Sequence, residues 1–290
     1  MNSYFVIGNP ISHSLSPLIH NYWFRKYRIR GDYDKKKLDY DDLKDFIEEM
    51  RKTPQINGAN VTVPFKKKII PFLDELTEIS KKTLSVNTIY KENGKLIGHN
   101  TDAMAFKQTL ADLKFLRDEE DIPITDQPLR SLIIGAGGVT SSVIWAIRKL
   151  NYKVDSTSYI MNRTKKNAEN LISNVIKETY STPKILDWGD IPKKLDIIVN
   201  TTSVGLTKDE SLMLDFSSYK GLKNTLFYDL IYNPKETNFL IDAKKRGNKI
   251  MNGKMMFVLQ AKLAFFNWTK IDAEIDDEVL KLLDQWLEFA

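Results

Sequence analysis

The 290-residue sequence contains no cysteine and only three histidines, His13, His20 and His99. Without cysteine, the chain can form neither a disulfide nor a thiolate metal site. The histidines do not recur at a metal-ligand spacing such as i, i+4 on one helix, so we expect no bound metal ion. No apolar run approaches the ~20 residues of a membrane-spanning helix, and residues 1–10 lack the charged start of a secretion signal. These absences are compatible with a cytoplasmic protein that binds no membrane, which is our expectation.

Positive charge is in only modest excess over negative charge. The net charge is +5, and 42% of the residues are apolar, as in a globular protein. Lysines occur in short groups, and acidic runs such as residues 39–49 interrupt them. This scatter favours solvated surfaces over a continuous nucleic-acid-binding face. We therefore expect no nucleic-acid partner and instead a small anionic ligand.

Strand and helix patterns alternate along most of the chain. The patterns predict strands at residues 4–8, 58–63, 131–134, 158–161, 197–200 and 225–229, a hairpin around Asn93-Gly94, and helices at 17–28, 41–50, 102–113, 139–150 and 165–176. Such alternation predicts an α/β protein with parallel sheets covered by helices. The polar stretch 117–128, which contains two prolines, predicts a loop near a domain boundary.

A glycine-rich turn opens the second half of the chain. An apolar strand runs into Gly135-Ala136-Gly137-Gly138 and then into an amphipathic helix. Glycines here allow a tight turn and let the backbone approach a pyrophosphate at the helix N-terminus. Because a strand precedes the glycines and a helix follows them, the segment predicts dinucleotide binding rather than a simple tight turn. Thr140 replaces the third glycine of the usual fingerprint.

The residues after the next strand indicate which dinucleotide is bound. An NAD enzyme usually carries Asp or Glu there, which binds the ribose 2′-hydroxyl. This chain has Arg163, Lys165 and Lys166 in the segment NRTKK. A guanidinium pairs with a 2′-phosphate, whereas a carboxylate would repel it. The segment therefore favours NADP over NAD, with a helix start that merely carries surface charge as the alternative.

The stretch GANVTVPFKKK, residues 58–68, ends an apolar strand on a proline and three lysines. Val61 and Val63 are expected in the core, with Thr62 pointing the opposite way. A helix beginning near Pro64 would place Lys66 in its first turn, where the helix dipole disfavours a cation. Reduction of a ketone by hydride requires a proton donor near the oxygen, and Lys66 is the unusual candidate.

Two other polar positions lie at expected helix starts. Ser16 followed by Pro17 is typical of an N-cap with proline at the first helical position. The same geometry, with Ser14, could also hold a substrate carboxylate on hydroxyls and helix N–H groups. Asp102 is favourable at a helix start whatever its function. The residues alone do not decide between a structural role at a helix start and a role in substrate binding or catalysis.

Taken together, the motifs resemble the shikimate dehydrogenase family. The segments GNPISHSLSP, GANVTVPFK, VNTI, GHNTD, IIGAGG, NRT, NTTSVG, DLIYNP and NGKMMFVLQA follow that family's order from Gly8 to Ala261. The resemblance implies a two-domain α/β enzyme, with an N-terminal α/β substrate domain (residues 1–101 and 252–290) and a Rossmann-like, doubly wound NADP-binding domain (102–251). It implies the reversible NADPH-dependent reduction of 3-dehydroshikimate to shikimate in aromatic amino-acid biosynthesis. We expect a monomer or a homodimer.

The resemblance also implies roles for individual residues. Lys66 and Asp102 would form the catalytic pair. The substrate residues would be Ser14 and Ser16 at the carboxylate, helped by Tyr232, and Thr62, Asn87 and Gln260 at the ring hydroxyls. The cofactor residues would be Gly135, Ala136, Gly137, Gly138 and Val139 at the pyrophosphate, Asn162, Arg163, Thr164 and Lys165 at the adenosine phosphate, and Leu230 and Gly253 at the nicotinamide.

The chain departs from the family pattern at several positions near the expected nicotinamide. The family usually has glycine at the positions of Ala103 and Ala105, a Gly-Met pair at Met255-Met256, and Asp and an apolar residue at Asn252 and Lys254. Two alternatives remain: a sister enzyme that also acts on quinate, often with NAD, and a non-catalytic regulator that binds NADP or shikimate. The basic NRTKK segment and both serines argue against the sister enzyme, and the presence of Lys66 and Asp102 argues against the regulator.

Overall fold

The computed structural model describes residues 1–111, 129–150, 156–175, 182–219 and 225–289. The predicted loop at 117–128 and the last residues of two predicted helices, 112–113 and 176, lie outside these ranges. The chain divides into two compact units, Met1–Ala105 with Val258–Ala290 and Phe106–Phe257. In the described ranges, no helix is long and apolar enough to cross a membrane.

Strands and helices alternate as the sequence predicts. The described strands are β1 (Asn2–Gly8), β2 (Gly31–Lys37), β3 (Ile56–Val61), β4 (Glu75–Leu76), β5 (Thr88–Glu92), β6 (Lys95–His99), β7 (Arg130–Ile134), β8 (Thr157–Met161), β9 (Lys184–Leu186), β10 (Ile197–Asn200), β11 (Leu226–Asp229) and β12 (Lys249–Met251). The described α-helices are α1 (Ser16–Lys26), α2 (Asp42–Lys52), α3 (Glu78–Thr83), α4 (Thr101–Ala111), α5 (Thr140–Leu150), α6 (Lys165–Val175), α7 (Asn238–Lys245), α8 (Lys254–Thr269) and α9 (Asp277–Phe289).

The first unit contains a mixed sheet with the strand order β2-β1-β3-β5-β6-β4. Strand β1 is parallel to both β2 and β3, whereas β5 is antiparallel to β3 and β6. The predicted hairpin is present between β5 and β6. Its two turn residues, Asn93 and Gly94, have φ angles of 50° and 76°, the left-handed conformation that an Asn-Gly hairpin turn requires.

Alternating side chains of β1 face two different layers of helices. Phe5 packs edge-on against Phe46 of α2, while Tyr4 packs against Phe24 of α1 and Trp268 of α8, each with ring centroids 5.0 Å apart. A side chain at Gly58 would lie 2.1 Å from the Trp268 indole nitrogen, so glycine is needed beneath that ring. The C-terminal part of the chain therefore completes the core that the N-terminal strand begins.

The second unit contains a parallel sheet with the strand order β12-β11-β10-β7-β8-β9. The chain winds outward from β7 in one direction and from β10 in the other, which is the order of a Rossmann-type doubly wound sheet. Ile134 at the end of β7 pairs with Asn200 at the end of β10. Ligands of such sheets bind beyond the carboxyl ends of the strands where the order reverses, and the predicted glycine turn follows β7 at that point.

The structure corrects the prediction for residues 62–69. Strand β3 ends at Val61, and Val63 is 61% exposed rather than part of the core. No α-helix begins at Pro64: residues 62–69 form turns in which Phe65 N donates to Thr62 O and Ile69 N donates to Phe65 O, both at 2.9 Å. The buried side chains of Phe65 and Ile69 anchor these turns. The expected conflict between Lys66 and a helix dipole therefore does not arise.

Candidate active site

Lys66 and Asp102 form an ion pair in the first unit. Lys66 follows the buried Phe65 in the turn after β3, and Val86 N donates to its carbonyl oxygen at 2.8 Å. Asp102 lies in the first turn of α4, where the helix dipole stabilises a carboxylate. The Lys66 Nζ atom donates to Asp102 Oδ2 at 2.7 Å, and the two side chains are 13% and 7% exposed. The pair is thus sheltered, and a small part of the Lys66 side chain remains exposed.

Asn87 holds the start of the helix that carries Asp102. Its Oδ1 atom accepts a hydrogen bond from Thr101 N at 2.8 Å, and its Nδ2 atom donates to Thr101 Oγ1 at 2.8 Å. Asn100 adds a cap, because its Oδ1 atom accepts from Ala103 N at 3.2 Å. Both asparagines therefore satisfy orphan groups at the start of α4 and fix the turn that carries Asp102.

Ser14 and Ser16 lie together at the start of α1, with the Ser14 hydroxyl donating to Ser16 Oγ at 3.3 Å. The prediction that Ser16 is the N-cap is wrong. The helix begins at Ser16 itself, Leu15 occupies the cap position, and Pro17 is the second helical residue. Proline is tolerated throughout the first turn, because the N–H it lacks would have no partner there. Leu15 makes no side-chain capping bond, and Ser16 is buried in the first helical turn.

Three other predicted substrate residues lie on separate elements. Thr62 follows β3, half-buried, and its methyl group lies close enough to Gly8 that a side chain there would come within 2.5 Å. Gln260 is half-buried on the part of α8 that belongs to the first unit. Tyr232 belongs to the second unit, where its ring stacks on Phe257 with centroids 4.6 Å apart. Burial raises the pKa of Tyr232 to about 12, so its hydroxyl is protonated and can donate a hydrogen bond.

The glycine turn of the second unit has an open backbone. Gly135 has a φ of 112°, and a side chain there would lie 2.7 Å from Thr201 Oγ1. At Gly137 the nearest atom to an added Cβ would be 3.9 Å away, and the residue is exposed. Ala136, Gly138 and Val139 are half-exposed and lead directly into α5. An accessible backbone at a helix N-terminus fits a pyrophosphate group.

Thr140 makes a side-chain contact that a glycine at this position could not make. Its side chain is fully buried, and its Oγ1 atom lies 2.9 Å from Thr201 Oγ1. Thr201 in turn donates to the carbonyl of Ile134 at 2.8 Å. The substitution therefore ties the loop after β10 to the glycine turn after β7.

The basic segment after β8 contains one unpaired cation. Lys165 forms an ion pair with Asp187 at 2.7 Å, which raises the pKa of the lysine, and Lys166 lies 3.4 Å from Glu169. Asn162 Nδ2 donates to the carbonyl of Thr164 at 2.8 Å and so holds the turn. Arg163 is exposed and makes no ion pair with any residue in the described ranges. Its guanidinium is therefore the cation best placed to meet a phosphate.

The predicted nicotinamide residues, Leu230 and Gly253, touch through their backbones. A Cβ at Gly253 would lie 2.0 Å from the carbonyl oxygen of Leu230, and Gly253 N donates to Ile231 O at 3.1 Å. The departures from the family pattern are accommodated locally. Ala103 and Ala105 are fully buried, so their methyl groups occupy the interior, and Asn252 Oδ1 accepts from Lys254 N at 3.2 Å at the start of α8.

The sequence reasoning missed a buried carboxylate in the second unit. Asp229 ends β11 and accepts hydrogen bonds from Thr237 Oγ1 at 2.6 Å, Ile231 N at 3.0 Å and Asn200 Nδ2 at 3.1 Å. Burial raises its pKa to about 6. The carboxylate therefore organises the loops after β10 and β11. An acidic residue at the end of the apolar run 226–229 is the signal that could have identified it.

The chain is similar to known proteins over most of its length. Residues 6–89 match the family model for the shikimate dehydrogenase substrate binding domain. A relative from Pelagibacter ubique, named shikimate dehydrogenase (NADP(+)), is 45% identical over 282 residues, covering 97% of this chain and 98% of its own.

Two solved structures are similar over almost the whole chain. Shikimate dehydrogenase from Aquifex aeolicus superposes with a TM-score of 0.84 at 30% identity, covering 98% of this chain and 97% of its own. Shikimate 5-dehydrogenase from Thermus thermophilus, solved with NADP(H) and shikimate, gives 0.79 at 26% identity, covering 99% and 100%. From the identity to the Pelagibacter relative over nearly the full length, this chain belongs to the shikimate dehydrogenase family.

Proposed function

We propose that the protein catalyses the reversible NADP-dependent oxidation of shikimate to 3-dehydroshikimate. The observation that carries the proposal is the sheltered ion pair between Lys66 and Asp102. An ammonium group held by a carboxylate can polarise a carbonyl oxygen and donate a proton to it. The first unit would bind shikimate and the second NADP, as the names of the matched domain and of the Pelagibacter relative support.

The substrate would be held by residues of known geometry. The hydroxyls of Ser14 and Ser16, 3.3 Å apart, would donate to the substrate carboxylate, and the protonated hydroxyl of Tyr232 would supply a further donor. Thr62, Asn87 and Gln260 would contact the ring hydroxyls. Because carboxylates accept hydrogen bonds strongly from several donors, this group of hydroxyls would orient the ring.

Lys66 would move the proton on the reacting oxygen. In the reductive direction its ammonium group donates a proton to that oxygen, and Asp102 holds the ammonium in place at 2.7 Å. In the oxidative direction the neutral amine must accept the proton. Oxidation releases one proton overall, so we expect the rate of shikimate oxidation to rise with pH. A flat profile with chemistry rate-limiting would count against this role.

The backbone of the second unit fits NADP. The turn at Gly135, Ala136, Gly137, Gly138 and Val139 offers an accessible backbone for the pyrophosphate. Arg163, with Asn162, Thr164 and Lys165 beside it, offers a free guanidinium for the 2′-phosphate. Leu230 and Gly253 would lie near the nicotinamide. The cofactor would supply the hydride acceptor for the oxidation of shikimate.

A direct assay tests the proposal. Reduced-cofactor absorbance is followed with shikimate or quinate, each with NADP or NAD. We expect turnover of shikimate with NADP; turnover of quinate with NAD at equal efficiency would favour the sister enzyme. No turnover of shikimate with either cofactor would refute the proposal.

Lys66→Ala tests the assigned proton donor. We expect kcat to fall far more than KM rises, the pattern of an interaction used mainly in the transition state. The matched control is Lys68→Ala, which removes an exposed lysine two residues away and should leave kcat unchanged. A change in KM alone would make Lys66 a binding residue. We also propose a cytoplasmic monomer or homodimer, which fractionation and light scattering of the protein would check.

A further inference from the structure

A chain of buried side chains runs across the sheet of the first unit. The Tyr33 hydroxyl on β2 donates to Asn60 Oδ1 on β3 at 2.7 Å. Asn60 Nδ2 donates to Thr88 Oγ1 on β5 at 3.1 Å. The Thr88 hydroxyl donates to Asn87 Oδ1 at 3.1 Å, and Asn87 Nδ2 donates to Thr101 Oγ1 at 2.8 Å. All five residues are buried, so each bond is shielded from water.

The hydrogen bonds of this chain run in one direction. From Tyr33 to Asn87 each residue donates to the next, an arrangement in which the bonds polarise one another. At its end the Thr101 hydroxyl lies 3.1 Å from Asn87 Oδ1. The direction fixes the amide of Asn87, since Asn87 Oδ1 also accepts from Thr101 N at 2.8 Å. A flipped amide would place its NH₂ group against that N–H. Among the described residues Thr101 Oγ1 is the acceptor for Asn87 Nδ2, so the second hydrogen of that amide can still be donated.

The two ends of the chain reach the residues proposed to bind and convert the substrate. At one end, the Ser16 side chain lies near the Tyr33 hydroxyl, and Ser14 donates to Ser16. At the other end, Thr101 directly precedes Asp102, which is paired with Lys66. The serines proposed to bind the carboxylate and the proposed catalytic pair thus lie near opposite ends of the chain that runs from Tyr33 to Thr101.

We propose that Tyr33, Asn60 and Thr88 are positioning residues of the shikimate site, which fix the Asn87 amide as a hydrogen-bond donor to a ring oxygen of the substrate. This inference rests on the proposed function. None of the three residues is proposed to touch the substrate.

Tyr33→Phe removes the first hydroxyl of the chain and keeps its ring, which stacks on His20 with centroids 4.3 Å apart. Loss of a buried donor leaves Asn60 Oδ1 unsatisfied, an effect that corresponds to about a tenfold change in binding. We expect the Kd of shikimate by calorimetry, and its KM, to rise about tenfold, with the KM of NADP unchanged. Thr88→Val should shift the same quantities in the same direction.

The matched control is Tyr228→Phe in the second unit. Tyr228 is also buried, its hydroxyl lies 3.1 Å from Thr109 Oγ1, and its ring stacks on Phe106. The same atom is deleted from the same kind of environment, so a comparable loss of thermal stability is expected. Shikimate affinity should stay at the wild-type value. A loss of shikimate affinity in Tyr228→Phe equal to that in Tyr33→Phe would make the effect one of stability and would overturn the inference.

A double-variant cycle separates positioning from general disruption. With Asn87→Ala the amide is absent, so adding Tyr33→Phe should have little further effect on shikimate affinity; additive effects would contradict the inference.

Calorimetry also separates this inference from the proposed function. If the wild type turns over shikimate and a folded Tyr33→Phe variant binds shikimate as tightly as the wild type, the inference is refuted and the proposed function stands. A wild-type protein that binds shikimate without turnover refutes the proposed function, and Tyr33→Phe still tests the inference.

Discussion

Gly253→Ala is expected to destabilise the second unit through a contact between two backbone segments. A Cβ at this position would lie 2.0 Å from the carbonyl oxygen of Leu230 and 2.6 Å from its carbonyl carbon, whereas ordinary contacts begin at 3.4 Å. Both neighbours are backbone atoms, so no rotamer change relieves the overlap. The start of α8 and the segment after β11 must therefore separate by more than ~1 Å.

The size of the effect follows from that overlap. Overpacking of a core costs about 1–3 kcal/mol, and a clash between two backbones belongs at the upper end, at ~3 kcal/mol. At roughly 2–4 °C per kcal/mol for a unit of this size, the melting temperature should fall by about 6–12 °C. Thermal unfolding of the full chain measures it.

Gly137→Ala is the matched control for that measurement. The same methyl group is added in the same unit, but the nearest atom to it would be 3.9 Å away. Its melting temperature should stay within ~2 °C of the wild-type value, as for most surface substitutions. If Gly253→Ala also melted within ~2 °C of the wild type, the close contact with Leu230 would be wrong.

Three further predictions concern the second unit. Gly137→Ala should raise the KM of NADP in steady-state assays although its stability is unchanged, because the methyl group would occupy space at the glycine turn; an unchanged KM would place the pyrophosphate elsewhere. Arg163→Ala should raise the KM of NADP by about tenfold or more, the value of a charge-assisted hydrogen bond, and leave the KM of NAD unchanged. Lys166→Ala should have little effect on either KM, because the Lys166 ammonium lies 3.4 Å from Glu169. Equal losses for both cofactors in Arg163→Ala would contradict the role of Arg163 in 2′-phosphate binding. Asp229→Asn should flatten the pH dependence of stability. Burial raises the pKa of Asp229 from 3.8 to about 6, so between these values the folded state holds a proton that the unfolded state has released. The unfolding free energy should therefore fall by about 2 kcal/mol as pH rises from about 4 to about 6. Equal slopes against pH in denaturant titrations of the wild type and Asp229→Asn would refute this.

Much of the fold could be predicted from the sequence because its signals are local. The alternation of apolar strands and amphipathic helices indicated both sheets, and Asn93-Gly94 indicated the hairpin. The glycine turn after β7 was found because glycine, strand and helix follow one another directly in the chain. These features depend on residues that are neighbours in sequence.

The errors concern positions decided by residues far apart in the chain. Phe65 and Ile69 look like the apolar side of a helix, yet burial of both side chains against the sheet holds them in turns. Ser16 has the residue type of an N-cap, but the helix starts one position earlier.

The chain from Tyr33 to Thr101 was missed because its members lie on strands that meet only in the folded sheet. The polar residues Asn60 and Thr88 within buried strands were its visible sequence signal.

The first unit consists of two chain segments separated by the whole second unit. This order has a consequence for synthesis of the protein on the ribosome. Tyr4 and Phe24 emerge early, but the ring of Trp268 that covers Tyr4 lies about 260 residues later. At roughly 5–20 residues per second, this part of the sheet stays uncovered for about 10–50 s, while the whole second unit is translated. During that interval the aromatic surface that Trp268 later covers stays exposed to solvent. The face of β1 that carries Tyr4 is therefore among the last parts of the first unit to be covered.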